Sequence, residues 1–182
     1  MQSLARLRTI LERLADPDHY LFAVRDFAPV FPELSYTALK ALLSRAVKAG
    51  LLERLCKGIY LYPRVDYPRG FELYHGAARL RADHFNYISL ETALSDVAVI
   101  SQVPINWITI MSSGRTHRVS CGHRGMIEFI HTKKSPRNLA PHLTWDERCR
   151  LWRASPALAM QDMRATGRSL DLVDWSVLDE FI

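Results

Sequence analysis

Residues 35–50 read SYTALKALLSRAVKAG, and residues 51–62 continue LLERLCKGIYLY. Ser35 is a natural helix cap, because its hydroxyl accepts from the orphan backbone N–H groups of a first turn. Leu39, Leu42, Leu43, Ala46 and Val47 recur at three- and four-residue spacing and form one apolar stripe. The other face carries Thr37, Lys40, Ala41, Ser44 and Lys48, with Tyr36 at the helix entrance and no acid. Gly50 stands where a helix end favours a left-handed residue. Gly58 permits a tight turn between the strand-like runs Leu52–Leu55 and Ile59–Tyr62. Arg54 lies on the first run and Lys57 in the turn. A capped helix, a glycine stop and a basic hairpin describe the second half of a winged helix-turn-helix, whose helix enters the major groove while the hairpin tip touches phosphate. The plainer reading is an αββ corner whose basic residues are simply solvated. The acid-free face, the basic turn and a supporting helix pair upstream weigh against it.

That upstream pair starts with a helix capped by Ser3, its stripe Leu4, Leu7, Ile10, Leu11 and Leu14, and Arg6, Arg8 and Arg13 left to solvent or phosphate. Asp16-Pro17-Asp18 ends it. Tyr20–Ala23 reads as a short strand that pairs with the later hairpin. A short second helix is expected around Val24–Phe31, burying Phe27 and Phe31, although Pro29 sits inside it. Residues 63–69, PRVDYPR, read as a short stiff linker, from which Arg64 and Arg69 can still reach a DNA backbone. The expected organisation is therefore α+β: a winged helix-turn-helix over residues 1–65, joined by that linker to a mixed α/β domain over 71–182 with a small sheet and C-terminal helices.

Bulk properties bound the function. The chain has 182 residues, 48% hydrophobic and 10% aromatic, enough to fill real cores. No apolar run approaches the roughly 18 residues of a membrane span. The opening MQSLARLRTI lacks a signal-peptide layout, so a soluble, cytoplasmic protein with no membrane partner is expected. Cys56, Cys121 and Cys149 are odd in number and far apart, which fits a reducing compartment. A net charge of +5 favours a polyanionic partner, and the charge is unevenly placed. Residues 1–70 hold eleven Lys or Arg against seven acids, residues 71–139 eight against five, and residues 140–182 five against seven.

In the second domain, Glu72–Leu80 reads as a helix, Ala82-Asp83-His84 as a turn and Phe85–Ile88 as an approach to a helix that Ser89 caps. That helix, SLETALSDVAVIS, buries Leu90, Ala93, Leu94 and Val97, and Gln102-Val103-Pro104 stops it. Ile105–Met111, Thr116–Ser120 and Met126–His131 are expected strands. Their loops and ends carry Arg115, His117, Arg118, His123, Arg124, Lys133, Lys134 and Arg137. These side chains are either one solvated sheet face or a second electropositive surface for RNA, DNA or an acidic partner. From residue 141 onward the chain is expected to return to helix. Thr144 would cap a segment with Trp145 and Trp152, and Ser155-Pro156 would start a helix through Met160 and Met163, with these Trp and Met residues in the core.

No phosphate-cradling loop, HExxH or nucleophile elbow occurs, and no enzymatic activity is expected. Glu128 and Lys133 do not have the spacing of a carboxylate and lysine on one strand face in a metal-dependent nuclease. His117, Cys121 and His123 lack a fourth ligand, so neither a metal nor another cofactor is expected.

The run ALKALLSRAVKAGLLERLCKGIYLYP, with its ending Lys57-Gly58-Ile59-Tyr60, resembles the N-terminal winged helix of AbiEi-family antitoxins, which belong to type IV toxin-antitoxin systems. YISLETALSDVAVISQVP, followed by a strand, a basic loop and GMIEFIHTKK, is similar to the antitoxin domain of that family. ASPALAMQDM resembles a later helix that contains an acid, here Asp162, although Ala157 stands where members often carry an acid. The resemblance covers roughly residues 1–165. It implies a protein of phage defence that binds inverted repeats in its own promoter and represses its operon. It also implies that the second domain counteracts a toxin of the nucleotidyltransferase type, often without a stable complex.

The expected DNA contacts are thus Ser35, Tyr36, Thr37, Lys40, Ser44 and Lys48 on the helix, Arg54 and Lys57 on the hairpin, and Arg64 beyond it. The partners are double-stranded promoter DNA and a cognate toxin. The competing expectation is a protein-interaction module whose basic faces bind an acidic toxin directly, with DNA incidental.

Overall fold

Leu7 and Leu11, one helical turn apart, hold α1 (Gln2–Leu14) against the rest of the first unit. The computed structural model describes residues 2–101 and 106–181 and divides the chain into two units, residues 1–80 and 81–182, in a mixed α+β architecture. In the first unit, Leu7 and Leu11 share a core with Phe22 of β1 (Leu21–Ala23), Phe27, Phe31, and Leu39, Leu42, Leu43 and Ala46 of α2 (Tyr36–Lys48). Each such side chain gains about 1.5–3 kcal/mol on leaving water. Leu51, Leu52, Tyr60 and Tyr62 complete the core from the hairpin side.

The end of α2 aims the hairpin. Gly50, at φ 67°, donates to the Val47 carbonyl at 3.0 Å, and Leu51 donates to Ala46 at 2.9 Å. This is a Schellman stop, and a β-carbon at position 50 would strain it. The chain turns directly into β2 (Glu53–Cys56) and β3 (Ile59–Leu61), and the strands lie antiparallel in the order β1-β3-β2. Lys57 and Gly58 form the two-residue turn, with Gly58 at φ 90°. The register slips between Arg54 and Cys56, where Leu55 bulges into the core.

Several expectations change here. Helix α1 begins at Gln2, so Ser3 lies inside its first turn, and Leu14 is 45% exposed at its end. The second helix expected over Val24–Phe31 shortens to a 3-10 turn, Val24–Phe27, with Asp26 accepting from the Ala23 N–H at 2.7 Å. Pro29 supplies no donor with which to extend it. The PRVDYPR stretch is not a free linker, because Tyr67 is buried and its ring stacks on Tyr20 with centroids 4.3 Å apart. The domain boundary accordingly moves past residue 71. Helix α3 (Glu72–Leu80) belongs to the first unit, where the Tyr20 hydroxyl meets His75 Nδ1 at 2.6 Å and Arg79 pairs with Asp26.

The second unit is built on a six-stranded sheet ordered β6-β7-β5-β4-β9-β8. Its members are β4 (Asn86–Ile88), β5 (Trp107–Ser112), β6 (His117–Ser120), β7 (Met126–His131), β8 (Leu143–Asp146) and β9 (Leu151–Ala154). The β5–β7 and β4–β9 pairs are parallel and the others antiparallel. The stop expected at Gln102-Val103-Pro104 and the strand start at Ile105 lie outside the described residues. The helix expected around Trp145 and Trp152 is instead the β8–β9 hairpin. The two rings face each other edge-on across it at 5.5 Å, 47% and 40% exposed rather than in the core. Two short aromatic-bearing runs joined by a turn satisfy a period of two better than 3.6. The Ser155-capped helix forms as expected as α6 (Pro156–Ala165), with Met160 and Met163 buried. A short α5 (Pro136–Leu139) follows β7, and α7 (Trp175–Leu178) lies near the end of the described chain.

Two buried carboxylates join helices to this sheet. Asp162 of α6 is fully buried and accepts from Tyr87 Oη at 2.9 Å, Ser89 Oγ at 2.8 Å and Lys134 Nζ at 2.7 Å. Ser89 precedes α4 (Leu90–Asp96) but spends its hydroxyl on Asp162 and makes no capping bond. Helix α4 stops at Asp96, before the full expected length, because Ala98 turns left-handed at φ 62°. Replacing Asp162 with Ala strands the half-buried ammonium of Lys134 and two buried hydroxyls. The expected loss is about 3–5 kcal/mol of unfolding free energy in urea titrations of the full chain. A loss below about 1 kcal/mol, the ordinary effect of a point substitution, would show that this carboxylate does not hold the unit together.

Candidate nucleic-acid interface

Helix α2 divides cleanly. Leu39, Leu42, Leu43 and Ala46 are buried, while Tyr36, Thr37, Lys40, Ala41, Ser44, Arg45 and Lys48 are exposed on the opposite side. Ser35 caps the helix as expected, its Oγ accepting from the Ala38 N–H at 3.2 Å. Tyr36 is 60% exposed at the entrance, and Lys40 Nζ sits 5.0 Å from the centre of its ring. That contact holds the ammonium along the helix surface. Arg54 points outward from β2, and its Nε donates to the Cys56 carbonyl at 3.3 Å. Lys57 is exposed at the turn and Arg64 just beyond β3.

The state of these charges matters more than their number. Among the described residues, Lys40, Arg45, Lys48, Lys57 and Arg64 have no carboxylate partner. Elsewhere in the first unit, Arg8 and Arg13 of α1 are also exposed without a carboxylate partner among the described residues, whereas other cations are used internally. Arg6 binds Glu33 at 2.7 Å and lies over Phe31, Arg79 pairs with Asp26, and Arg69 stacks on Tyr67. Residues 1–80 carry twelve Lys or Arg against eight acids, and residues 81–182 twelve against eleven. Charge left over in the first unit therefore lies on the exposed side of α2, around the hairpin and on the exposed side of α1. Arg45 was missed in the sequence, although it stands four residues after Ala41, already assigned to that face.

The second basic surface does not form as one patch. Arg118 and His117 are neighbours on the edge strand β6 and project to opposite faces. Arg118 binds Glu128 at 2.8 Å and lies over Trp107. Lys134 is committed to Asp162, and Arg124 has a partner of its own. Arg115, His117, Lys133 and Arg137 remain exposed, on a loop, a strand edge, the segment after β7 and α5 respectively.

Glu128, considered beside Lys133 for metal-dependent cleavage, is buried among donors. It accepts from Arg118, from Arg168 Nη2 at 2.7 Å and from Trp107 Nε1 at 3.3 Å. No group of three or more His, Cys, Asp or Glu suited to a metal ion occurs among the described residues. Cys56, Cys121 and Cys149 are all buried free thiols, and burial pushes the Cys149 thiol up to about 12. No helix among the described residues is long and apolar enough to cross a membrane.

A family of unknown function, DUF6088, matches residues 18–151. This chain belongs to that family. Among curated proteins, none matches it. The stretch shared with DUF6088 runs from just before β1 into β9, so it takes in α2, the hairpin and most of the second sheet. In this DUF6088 chain, α1 and the Asp162 helix lie outside the matched stretch.

Burial alone raises the pKa of Glu128, but the hydrogen bonds and charges of Arg168 and Arg118 outweigh it and leave the carboxyl below its ordinary value. A folded pKa below the unfolded value, about 4.3, means stability present above that value and lost as pH falls through the folded one. Glu128→Gln is thus expected to destabilise the chain most near neutral pH and progressively less in acid, as urea midpoints across a pH series record. A deficit that stays constant down to about pH 3 would count against this linkage.

Proposed function

We propose that residues 1–80 are a winged helix-turn-helix that binds double-stranded promoter DNA and represses transcription, and that the chain acts as the antitoxin of a toxin-antitoxin pair. The observation that carries the DNA half is the acid-free exposed face of α2, with Lys40, Arg45 and Lys48 unpaired beside Thr37 and Ser44. A thirteen-residue helix is about 20 Å long and fits a B-form major groove about 12 Å wide. The order helix, strand, 3-10 turn, helix, hairpin supports the same reading, with Lys57 at the tip placed for phosphate.

The roles divide by chemistry. Lys40 and Ser44 carry donors that reach base edges, while Arg54, Lys57 and Arg64 supply charge to the backbone, which dominates affinity and its salt dependence. Arg45, about 7.5 Å further along the helix than Lys40 and on the other margin of the face, joins the phosphate set. The antitoxin half rests on the likeness of YISLETALSDVAVISQVP and GMIEFIHTKK to AbiEi-family antitoxins, and a nucleotidyltransferase-type toxin is the proposed target.

The test is a gel-shift titration of the full chain on its own upstream DNA. Lys57→Ala is expected to weaken binding equally on specific and scrambled sequences and to lower the salt slope by about one. Lys40→Ala should relax preference at one or two base pairs, at about 1–3 kcal/mol each. If neither variant alters binding, or the wild-type chain fails to shift its upstream DNA below micromolar concentrations, the regulator reading is wrong.

A further inference from the structure

The loop between β5 and β6, Ser113-Gly114-Arg115-Thr116, borders a concavity of about 430 Å³ shared with His84 and His131. The loop is held far more firmly than a solvent connection requires. Arg81 lies over the Phe129 ring at 4.3 Å, and its guanidinium donates to Ser112 Oγ at 3.1 Å and to the Arg115 carbonyl at 2.5 Å. His131 Nδ1 donates to the Gly114 carbonyl at 2.9 Å, and its backbone N–H donates to Thr116 Oγ1 at 3.0 Å. The Phe85 N–H donates to Ser113 Oγ at 3.1 Å. A β-carbon at position 114 would lie 2.2 Å from the Arg81 guanidinium and 2.8 Å from the His84 ring, so both side chains would have to shift to admit one.

This pinning has a consequence for what the concavity offers. The Gly114 and Arg115 carbonyls already have donors, and the Ser113 and Thr116 oxygens each accept one backbone N–H. Each of these oxygens keeps a second lone pair, and the loop also offers a ligand two hydroxyl protons and the Arg115 guanidinium, which has no partner among the described residues. His84 Nδ1 is taken up by Asp83 at 2.9 Å, so both imidazoles present Nε2. Nε2 accepts the proton of a singly ionised phosphate, or donates once the ring is protonated. Among the described residues, the carboxylate paired with these groups is Asp83, engaged by His84.

We propose that this concavity binds the phosphate monoester of a nucleotide-sized small molecule, with Arg115 and the two hydroxyls on the phosphate oxygens. Its volume exceeds that of a bare phosphate ion and falls within the roughly 300–1,000 Å³ of small-ligand pockets. The inference is independent of the DNA-binding reading, since it uses none of the α2 or hairpin residues.

The test is isothermal titration of the full chain with AMP, inorganic phosphate and adenosine. AMP and phosphate are expected to saturate and compete for one site, and adenosine to bind at least tenfold more weakly than AMP, about the worth of one charge-assisted contact. Arg115→Gln, an exposed change, should weaken AMP by about tenfold or more, while Arg137→Gln, an exposed basic residue on α5, should leave it unchanged. The proposal fails if no saturable binding occurs, if adenosine binds as well as AMP, or if Arg137→Gln weakens binding as much as Arg115→Gln. It also fails if an oligonucleotide without terminal phosphate binds as tightly, which would make the loop a backbone-reading surface.

Discussion

The burial of one side of α2 is the constraint on which the first unit depends. Leu39, Leu42, Leu43 and Ala46 cannot leave the core, so the orientation of the helix about its axis is fixed. Every charge on the far side is then fixed in direction as well. The Schellman stop at Gly50 extends this control to the next element, because its two backbone bonds leave β2 a single direction of departure. Rigidity of this kind directs basic side chains outward without needing contacts among them.

The second unit solves a different problem. Its sheet brings Glu128 and Asp162 into the interior, where an unpaired carboxylate is costly. Each is met by several donors, and those donors come from distant parts of the sequence: Arg118 and Arg168 for Glu128, and Tyr87, Ser89 and Lys134 for Asp162. The same pairing offsets the charges of Arg118 and Lys134, although the Arg118 side chain stays exposed. Basic residues counted in a sequence are therefore a poor measure of basic surface, since a fold uses part of them to neutralise its own buried acids. Arg153, shared between Asp96 and Asp146, repeats the pattern on β9.

The concavity at Ser113–Thr116 follows from alternation along β7. Glu128 faces one side of the sheet and Phe129 and His131 the other, so one strand supplies both an internal ion pair and a support for the loop. Arg81 stacks on Phe129 and ties down the loop from beneath, and burial draws its guanidinium below the ordinary value against the pull of Asp83.

How much could be read in advance differed between the two units for a physical reason. Helix α2, its Ser35 cap, the Gly50 stop and the Lys57-Gly58 turn are set by interactions within a few residues, and all were legible in the sequence. The same holds for the Ser155-capped helix and for the three strands read between residues 105 and 131, except that β5 starts at Trp107 after a turn at Asn106, β6 starts at His117, and Ile105 lies outside the described residues. The 3-10 turn at Val24–Phe27 is shorter than the expected helix because Pro29 removes a backbone donor, whereas the inward-packed Tyr67 was missed because its stacking on distant Tyr20 overrides local propensity. Trp145 and Trp152 misled for a related reason: large aromatic residues suit a core or a cross-strand pair equally, and only β9 lying next to β4 decided between them. By itself, the sequence determined where helices start and stop and which face of α2 is apolar, because those depend on spacing and backbone chemistry. Tertiary structure alone decided which arginines and lysines remain unpaired and which loop borders a concavity, because both depend on partners tens of residues away.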